Sequence, residues 1–381
     1  MKVTIDVSPA VHHRAGLGRY ASELVSALAE VIEPGTELRT FYTESATADP
    51  QGTIARLPQF RSRLGYKPWR LAAMASHFLR VPFDRLYGNP DLVHATDHLL
   101  PHLRARSVFT LHDLIFEIYP QHHKVYNHTF LKMMMPRFLK AADHIITVSE
   151  HTKRDAERLY SIDPARMTVV YEAVDERYRP TFDLTELEPI RQRYQLPEQF
   201  LLHVGTIEPR KNLSILLPAL QTLKAEFPDL KLVLVGKKGW LYEGFFKKLT
   251  ESGLDSEVLF PGFVEEEDLP AVFQLATAFV FPSVYEGFGL PPLEALACGV
   301  PVVCSDASSL PEVVGDAGLL VDPNNPRAVT AALHRVLSDE ALRHDLQQRG
   351  PRRAALFSWA RAARQTLEVY EGVTESHQVG P

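Results

Sequence analysis

Two doubly wound α/β domains, each on a parallel sheet, are the architecture this sequence predicts. Three observations carry the prediction. Short apolar strands alternate with helical segments along most of the 381 residues, the pattern of βαβ units. The alternation breaks over 171–198, where charge, Pro180, Pro189 and Pro197 gather, and resumes with a strand at Phe200. Glycines and polar residues follow the strand ends, where open parallel sheets bind ligands. The expected domains are 1–180 and 181–355, with a last helix in 356–381 crossing back to the first domain before a short tail.

Composition narrows the function. With 45% hydrophobic and 23% charged residues, the chain can bury ordinary globular cores. A formal net charge of -6 argues against nucleic acid as a partner. Cys298 and Cys304 lie in apolar runs and form no CxxC pair, which fits a reducing compartment. Met1–Ser8 reads as a strand and not as a signal peptide. No apolar run approaches the ~18 residues of a membrane span, so a cytoplasmic place is expected.

In order, Val3–Val7 is a strand, Ser8–Ala15 a loop, and Gly16-Leu-Gly18-Arg-Tyr-Ala21 opens an amphipathic helix to about Ile32. Gly-x-Gly-x-x-Ala after a strand also fits a dinucleotide fingerprint, with Glu37 or Glu44 as ribose ligands. A glycine loop aimed at a ligand, or a helix start that needs small residues, fits it as well. Residues 56–85 set Arg56, Arg61, Arg63, Lys67, Arg70, Arg80 and Arg85 against Asp84 alone, with Trp69, Leu71, Met74, Phe78 and Leu79 between them. Such a segment either lies on an anionic membrane or packs its apolar stripe on its own domain.

Asp91–His94 and Ser107–Leu111 read as buried strands ending in His94, Asp97 and His98, and in His112-Asp113. That position makes His112 a candidate donor to a sugar or phosphate. His12, His13, His122 and His123 complete a set of histidines whose spacing matches no metal motif, and Asp-x-Asp is absent, so no metal is expected. Helices follow near 123–140 and 149–160, capped in the second case by Ser149, around a strand at 144–148, and Met167–Val170 closes the half.

Beyond a short helix near 184–194, Phe200–Val204 is a strand ending in Gly205-Thr-Ile-Glu-Pro-Arg210-Lys211-Asn212, followed by a helix. Adjacent cations at a helix start beyond a strand end are suited to a diphosphate. Strands at Lys231–Val235 and Val258–Phe260 follow. After the second, Phe263 or Val264 is placed to pack on a base. Ala278–Phe281 leads into Glu286-Gly-Phe-Gly-Leu-Pro-Pro-Leu-Glu294. Gly287 and Gly289 permit close backbone approach, and Pro291 and Pro292 suit a first helical turn, whose free N–H groups favour an anion. The two carboxylates add acceptors for hydroxyls, and a nucleotide sugar offers both groups. Strands at 301–304 and 318–321, and helices near 308–314, 325–336, 339–349 and 357–372, complete the chain.

The whole resembles the retaining family-4 glycosyltransferases of the GT-B fold, two Rossmann-like domains facing a cleft. The carriers are Glu286-x7-Glu294, Gly205–Asn212, Ala15-Gly-Leu-Gly-Arg-Tyr20, Leu111-His-Asp-Leu114 and Ser309–Gly318, in the family's order. The wording of the second and third is most similar to bacterial mannosyltransferase-type members that build surface polysaccharide. The resemblance implies a metal-independent transfer, without a cofactor, of a hexose from a nucleotide sugar such as GDP-mannose to a glycan or lipid-linked acceptor. It implies that Glu294 holds the donor ribose and Glu286 the sugar hydroxyls. Gly287 and the N–H groups of Phe288, Gly289 and Leu290 would meet the sugar or phosphate, and Val264 the base. Arg210 and Lys211 would grip the diphosphate, Gly16 and Gly18 would approach it, and His112 would lie near the transferring sugar. His12, His13, Asp97 and His98 are the acceptor-side candidates. Thr206 stands where many members carry Arg. Residues 56–85 would then face a membrane peripherally. No oligomeric state is assigned.

Overall fold

A computed structural model describes residues 1–45, 48–122, 124–181 and 183–375. His123 and the tail after Glu375 lie outside them. The chain divides into two compact units. The first holds Met1–Ile118, Val125–Glu172 and the chain from Ser358; the second holds Tyr119–Lys124 and Ala173–Phe357. The divisions fall at 172 and 357, against the 180 and 355 read from composition.

The first unit carries a seven-stranded sheet of β1 (Lys2–Asp6), β2 (Glu37–Thr43), β3 (Gln59–Ser62), β4 (Leu92–Ala95), β5 (Arg106–Leu111), β6 (His144–Thr147) and β7 (Met167–Val169). All are parallel, in the order β3-β2-β1-β4-β5-β6-β7. The second unit carries β8 (Phe200–Val204), β9 (Lys231–Val235), β10 (Val258–Leu259), β11 (Ala278–Phe281), β12 (Val302–Ser305) and β13 (Leu319–Val321). They are parallel too, in the order β10-β9-β8-β11-β12-β13. Helices cover both faces of such sheets, so the strands are apolar on both sides. Val3, Ile5, Phe279 and Phe281 are fully buried. Each unit has its own core, around Trp69, Phe109 and Phe138 in the first and Leu220, Leu232 and Leu333 in the second.

Several elements differ from the sequence reading. Ser8–Val11 is a short helical turn, and the Ala15–Val31 helix contains both Gly16 and Gly18. There is therefore no tight strand–turn–helix fingerprint for a dinucleotide. Glu37 stands at the amino end of β2 and binds Arg39 at 2.6 Å, and Glu44 pairs with Arg61 at 3.3 Å. Gly18 has a packing reason: a Cβ there would sit 2.8 Å from the Pro9 carbonyl oxygen. The 56–85 block is not one segment. It holds β3, a Tyr66–Leu79 helix and a turn at Asp84–Tyr87. Trp69 packs on Phe41 and Tyr87, and Arg70 is buried over the Phe130 ring at 4.0 Å with Asn127 as acceptor at 2.8 Å. Leu71, Phe78 and Leu79 remain 51%, 55% and 72% exposed. The final helix, Trp359–Glu375, packs against the Ala15–Val31 helix within the first unit. No helix among the described residues is long and apolar enough to cross a membrane.

Candidate functional site

Each sheet has a topological switch point, where strand order reverses and the loops leaving two adjacent strands diverge to leave a crevice. In the second unit it lies between β8 and β11. The loop after β8 becomes a turn of 3₁₀ helix at Pro209–Lys211, closed by Asn212 at φ 54°. The loop after β11 carries Ser283 to Glu286. Lys211 Nζ donates to Glu286 Oε1 at 2.7 Å, and Arg210 Nη1 donates to Glu286 Oε2. Ser283 Oγ adds a bond to Oε1 at 2.5 Å, while Arg210 Nε reaches Glu208 Oε1 at 2.9 Å and Nη1 the Tyr285 carbonyl at 3.0 Å.

A buried cation, Lys211, and a part-buried one, Arg210, thus share one buried carboxylate. Burial opposes ionisation of Glu286, but Arg210 and Lys211 overcome it and hold its pKa at about 2. Lys211 faces one anion and one cation. Burial and then the Arg210 guanidinium lower its pKa, with Glu286 opposing them. Its ammonium also lies 4.6 Å from the centre of the Phe281 ring. Among the described residues of this unit, His203 Nε2, Glu208 Oε2 and His122 Nδ1 are buried without a hydrogen-bond partner. Burial and Lys211 push His203 down to about 3. Nothing in the apolar run Phe200–Val204 marked His203 as more than a core residue.

The glycine loop completes this crevice. Glu286 N donates to Ser308 Oγ at 2.9 Å, and Ser309 Oγ donates to the carbonyls of Glu286 and Phe288 at 3.0 and 2.6 Å. Gly289 takes φ +123°, and a Cβ there would meet Leu310 at 2.8 Å. It precedes the Leu290–Ala297 helix, on which Glu294 is buried. Val264 is buried and Phe263 72% exposed.

In the first unit the switch point lies between β1 and β4. Asp6 ends β1 and accepts from Ser8 N at 2.9 Å and Ser8 Oγ at 2.6 Å. Burial raises its pKa to about 7 against those two bonds, helped by Asp97. Asp97 pairs with Arg14 at 2.7 Å and accepts from His98 N at 2.7 Å. Burial opposes its ionisation, yet His98 and Arg14 bring its pKa below the ordinary value. His98 Nδ1 is buried without a partner. His112 lies with Nδ1 3.3 Å from Glu172 and Nε2 3.1 Å from the Thr96 carbonyl. Asp97, His98 and His112 therefore gather around this crevice, joined by Asp6, Arg14 and Glu172, which sequence reasoning passed over. His12 does not join them by hydrogen bonding: its Nε2 and Nδ1 engage Thr43 and Ser45 at 3.0 and 3.1 Å. His13 is exposed in a left-handed conformation, and Gly16 is exposed in the first helical turn. Among the described residues, no group of three or more His, Cys, Asp or Glu could hold a metal ion.

Known proteins share this plan. Residues 187–353 match the family described as "Glycosyl transferases group 1", and residues 14–178 match "Glycosyltransferase Family 4". The "O-antigen chain mannosyltransferase B" of Escherichia coli is 34% identical over 391 residues, covering 97% of this chain and 100% of that protein. The "Serotype-specific mannosyltransferase WbdA" of Escherichia coli is 33% identical over 62% of this chain, which spans only 30% of its length. Among solved structures, sucrose-phosphate synthase from Thermosynechococcus elongatus aligns with TM-score 0.79 at 23% identity, covering 99% of this chain and 100% of its own. Anabaena HepE, in complex with UDP and glucose, aligns with TM-score 0.73 at 20% identity over 98% and 100% of the two chains. At these identities the likeness is one of fold. Through the full-length relative and the two family matches, the chain belongs to the glycosyltransferases, with the GT-B fold and a family-4 amino-terminal half.

Proposed function

We propose that this glycosyltransferase moves a hexosyl group, mannosyl by preference, from a nucleoside-diphosphate sugar to a glycan or lipid-linked acceptor in surface-polysaccharide synthesis. It does so with retention of configuration and without a metal. The sugar and the pathway follow the full-length relative, named for O-antigen chain mannosyl transfer. The observation that carries the chemistry is the carboxylate of Glu286 shared by Arg210 and Lys211 beyond β8 and β11. A leaving diphosphate gains charge as the glycosidic bond breaks, and preorganised cations stabilise it there. Lys211 is the cation offered to the phosphates. Arg210 is already committed to Glu208, Glu286 and the Tyr285 carbonyl, so its first effect is to orient Glu286 towards sugar hydroxyls. Glu294 takes the ribose, the N–H groups around Gly289 the phosphate, and Val264 the base edge. Gly16 and Gly18 serve the donor through the backbone of the first helical turn. Asp97 and His98 serve the acceptor, and His112 the transferring sugar. Leu71, Phe78 and Leu79, exposed beside Arg80, support peripheral contact with an anionic membrane on the cytoplasmic side.

The test is release of nucleoside diphosphate from GDP-mannose, UDP-glucose and ADP-glucose with a polyprenyl-linked glycan acceptor, with and without EDTA. The anomeric configuration of the product is read by NMR. GDP-mannose turnover insensitive to EDTA, giving an α-linked product and abolished in Lys211→Ala, is the expected result. An inverted product, or full activity in Lys211→Ala, overturns the reading.

A further inference from the structure

His112 follows the end of β5 with an acceptor on each side of its ring. Nδ1 lies 3.3 Å from Glu172 Oε1, and Nε2 lies 3.1 Å from the Thr96 carbonyl oxygen. A neutral imidazole has one N–H and would leave one of these contacts as facing lone pairs. Only the imidazolium donates to both. Both side chains are buried, where a mismatched pair of acceptors is costly. The ring cannot easily turn away. Tyr20 meets it edge-on at 4.7 Å and 89°. Tyr20 is itself held through Thr110, which also bonds His94, and His94 bonds Tyr370 on the last helix. Thr152 Oγ1 donates to the His112 carbonyl at 3.2 Å, fixing the backbone.

We infer that Glu172 is a positioning residue for the transfer: its carboxylate keeps His112 a doubly donating cation, so that His112 acts as a fixed positive charge and not as a base. The inference rests on the reading that His112 serves the transferring sugar. The groups facing the ring from each packed element are Glu172 after β7, Asp97 and His98 after β4, Asp113 after β5, His94 on β4 and Tyr20 on the Ala15–Val31 helix. Burial works against the cation, while Glu172, the Thr96 carbonyl and Asp113 favour it, and the pKa of His112 rises. His94 and His98 are pushed the other way by burial. Three histidines thus meet at the ends of β4 and β5, and one of them is charged. Glu172 was hidden in the sequence because it opens the charged stretch read as a connection between domains.

The experiment uses the full chain with ring-labelled histidine, the His112 signal being identified by its loss in His112→Asn. His112 should titrate above its ordinary value of 6.5. In Glu172→Gln, which keeps an acceptor and removes the charge, the titration should fall by about one unit or more. The alkaline limb of kcat should fall with it, because a required cation is lost as pH rises through its pKa. Glu172→Asp should restore both in part. A wild-type His112 that titrates below 6.5, or a kcat limb that stays in place while the titration moves, overturns the inference. Full activity in His112→Asn would refute the role of His112 in transfer, the reading on which it rests, whatever the titration shows.

Discussion

Replacing Glu286 by Gln should weaken the fold and tighten diphosphate binding at the same time. The carboxylate is the shared counter-charge of Lys211 and Arg210. Removing one partner from a buried ion pair costs about 3–5 kcal/mol. Gln retains one acceptor for Lys211 and Arg210 retains Glu208, which places the loss near the lower end. The ligand effect has the opposite sign. Lys211 Nζ already gives one proton to Glu286 at 2.7 Å. A phosphate oxygen taking a second proton at about 2.8 Å would stand about 4.5 Å from that carboxylate oxygen, given tetrahedral nitrogen geometry. Two unit charges that far apart repel by roughly 4 kcal/mol at an effective dielectric of 20. Even if solvent removes two-thirds of this, about 1.3 kcal/mol remains, a roughly ninefold gain in affinity once the carboxylate is neutral. Calorimetry of GDP and UDP with the two proteins measures it. The nucleoside diphosphate lacks the sugar, so losing the hydroxyl contacts of Glu286 does not confuse the comparison. Equal or weaker binding in Glu286→Gln would show that Lys211 is not shared between carboxylate and diphosphate.

Three further outcomes follow from positions already described. Gly289→Ala must place a side chain at φ +123° and 2.8 Å from Leu310, and should cost about 1–3 kcal/mol in urea unfolding; an unchanged midpoint contradicts that backbone. Gly18→Ala, whose Cβ would meet the Pro9 carbonyl at 2.8 Å, should destabilise by a similar amount, whereas Gly16→Ala, with nothing within 4 Å, should be neutral or stabilising by up to about 1 kcal/mol. Asp6→Asn should stabilise increasingly as pH rises. The folded carboxyl keeps its proton up to about 7 against an ordinary 3.8, so its contribution to stability is present below 3.8 and lost through 7. Thermal melts of wild type and Asp6→Asn should coincide near pH 3.5 and separate by pH 8, and parallel curves would contradict the buried neutral acid.

The sheets and the donor-side loops were legible because parallel strands are apolar runs and the loops after them carry glycine, proline and charge. Gly205–Asn212 and Glu286–Glu294 stood out for that reason, and the fold brings Arg210, Lys211 and Glu286 together. Two strands were not legible. β2 mixes Glu37, Arg39 and threonines with its apolar residues, and β3 is four residues at the sheet edge with Arg61 exposed. An edge strand needs no apolar run on both faces, so β3 merged with the basic helix after it. The first-unit crevice was half legible. Histidines and Asp97 after strands drew notice, whereas Asp6 looked like a strand residue and Arg14 like part of a loop. What makes them notable is a pairing across 83 residues, as between Arg14 and Asp97, and no local pattern encodes a partner that distant.

The return of the chain at Ser358 has a consequence for synthesis. The helix Trp359–Glu375 supplies Tyr370, whose hydroxyl meets buried His94 at 2.7 Å, and it covers the helix that opens the first unit. On a ribosome these residues emerge after the whole of the second unit. The domain that begins first is therefore the last to be finished, and its nascent form waits with an apolar wall uncovered while its neighbour is already able to fold. A chaperone that shields the early domain, or a pause late in the message, would act on that interval.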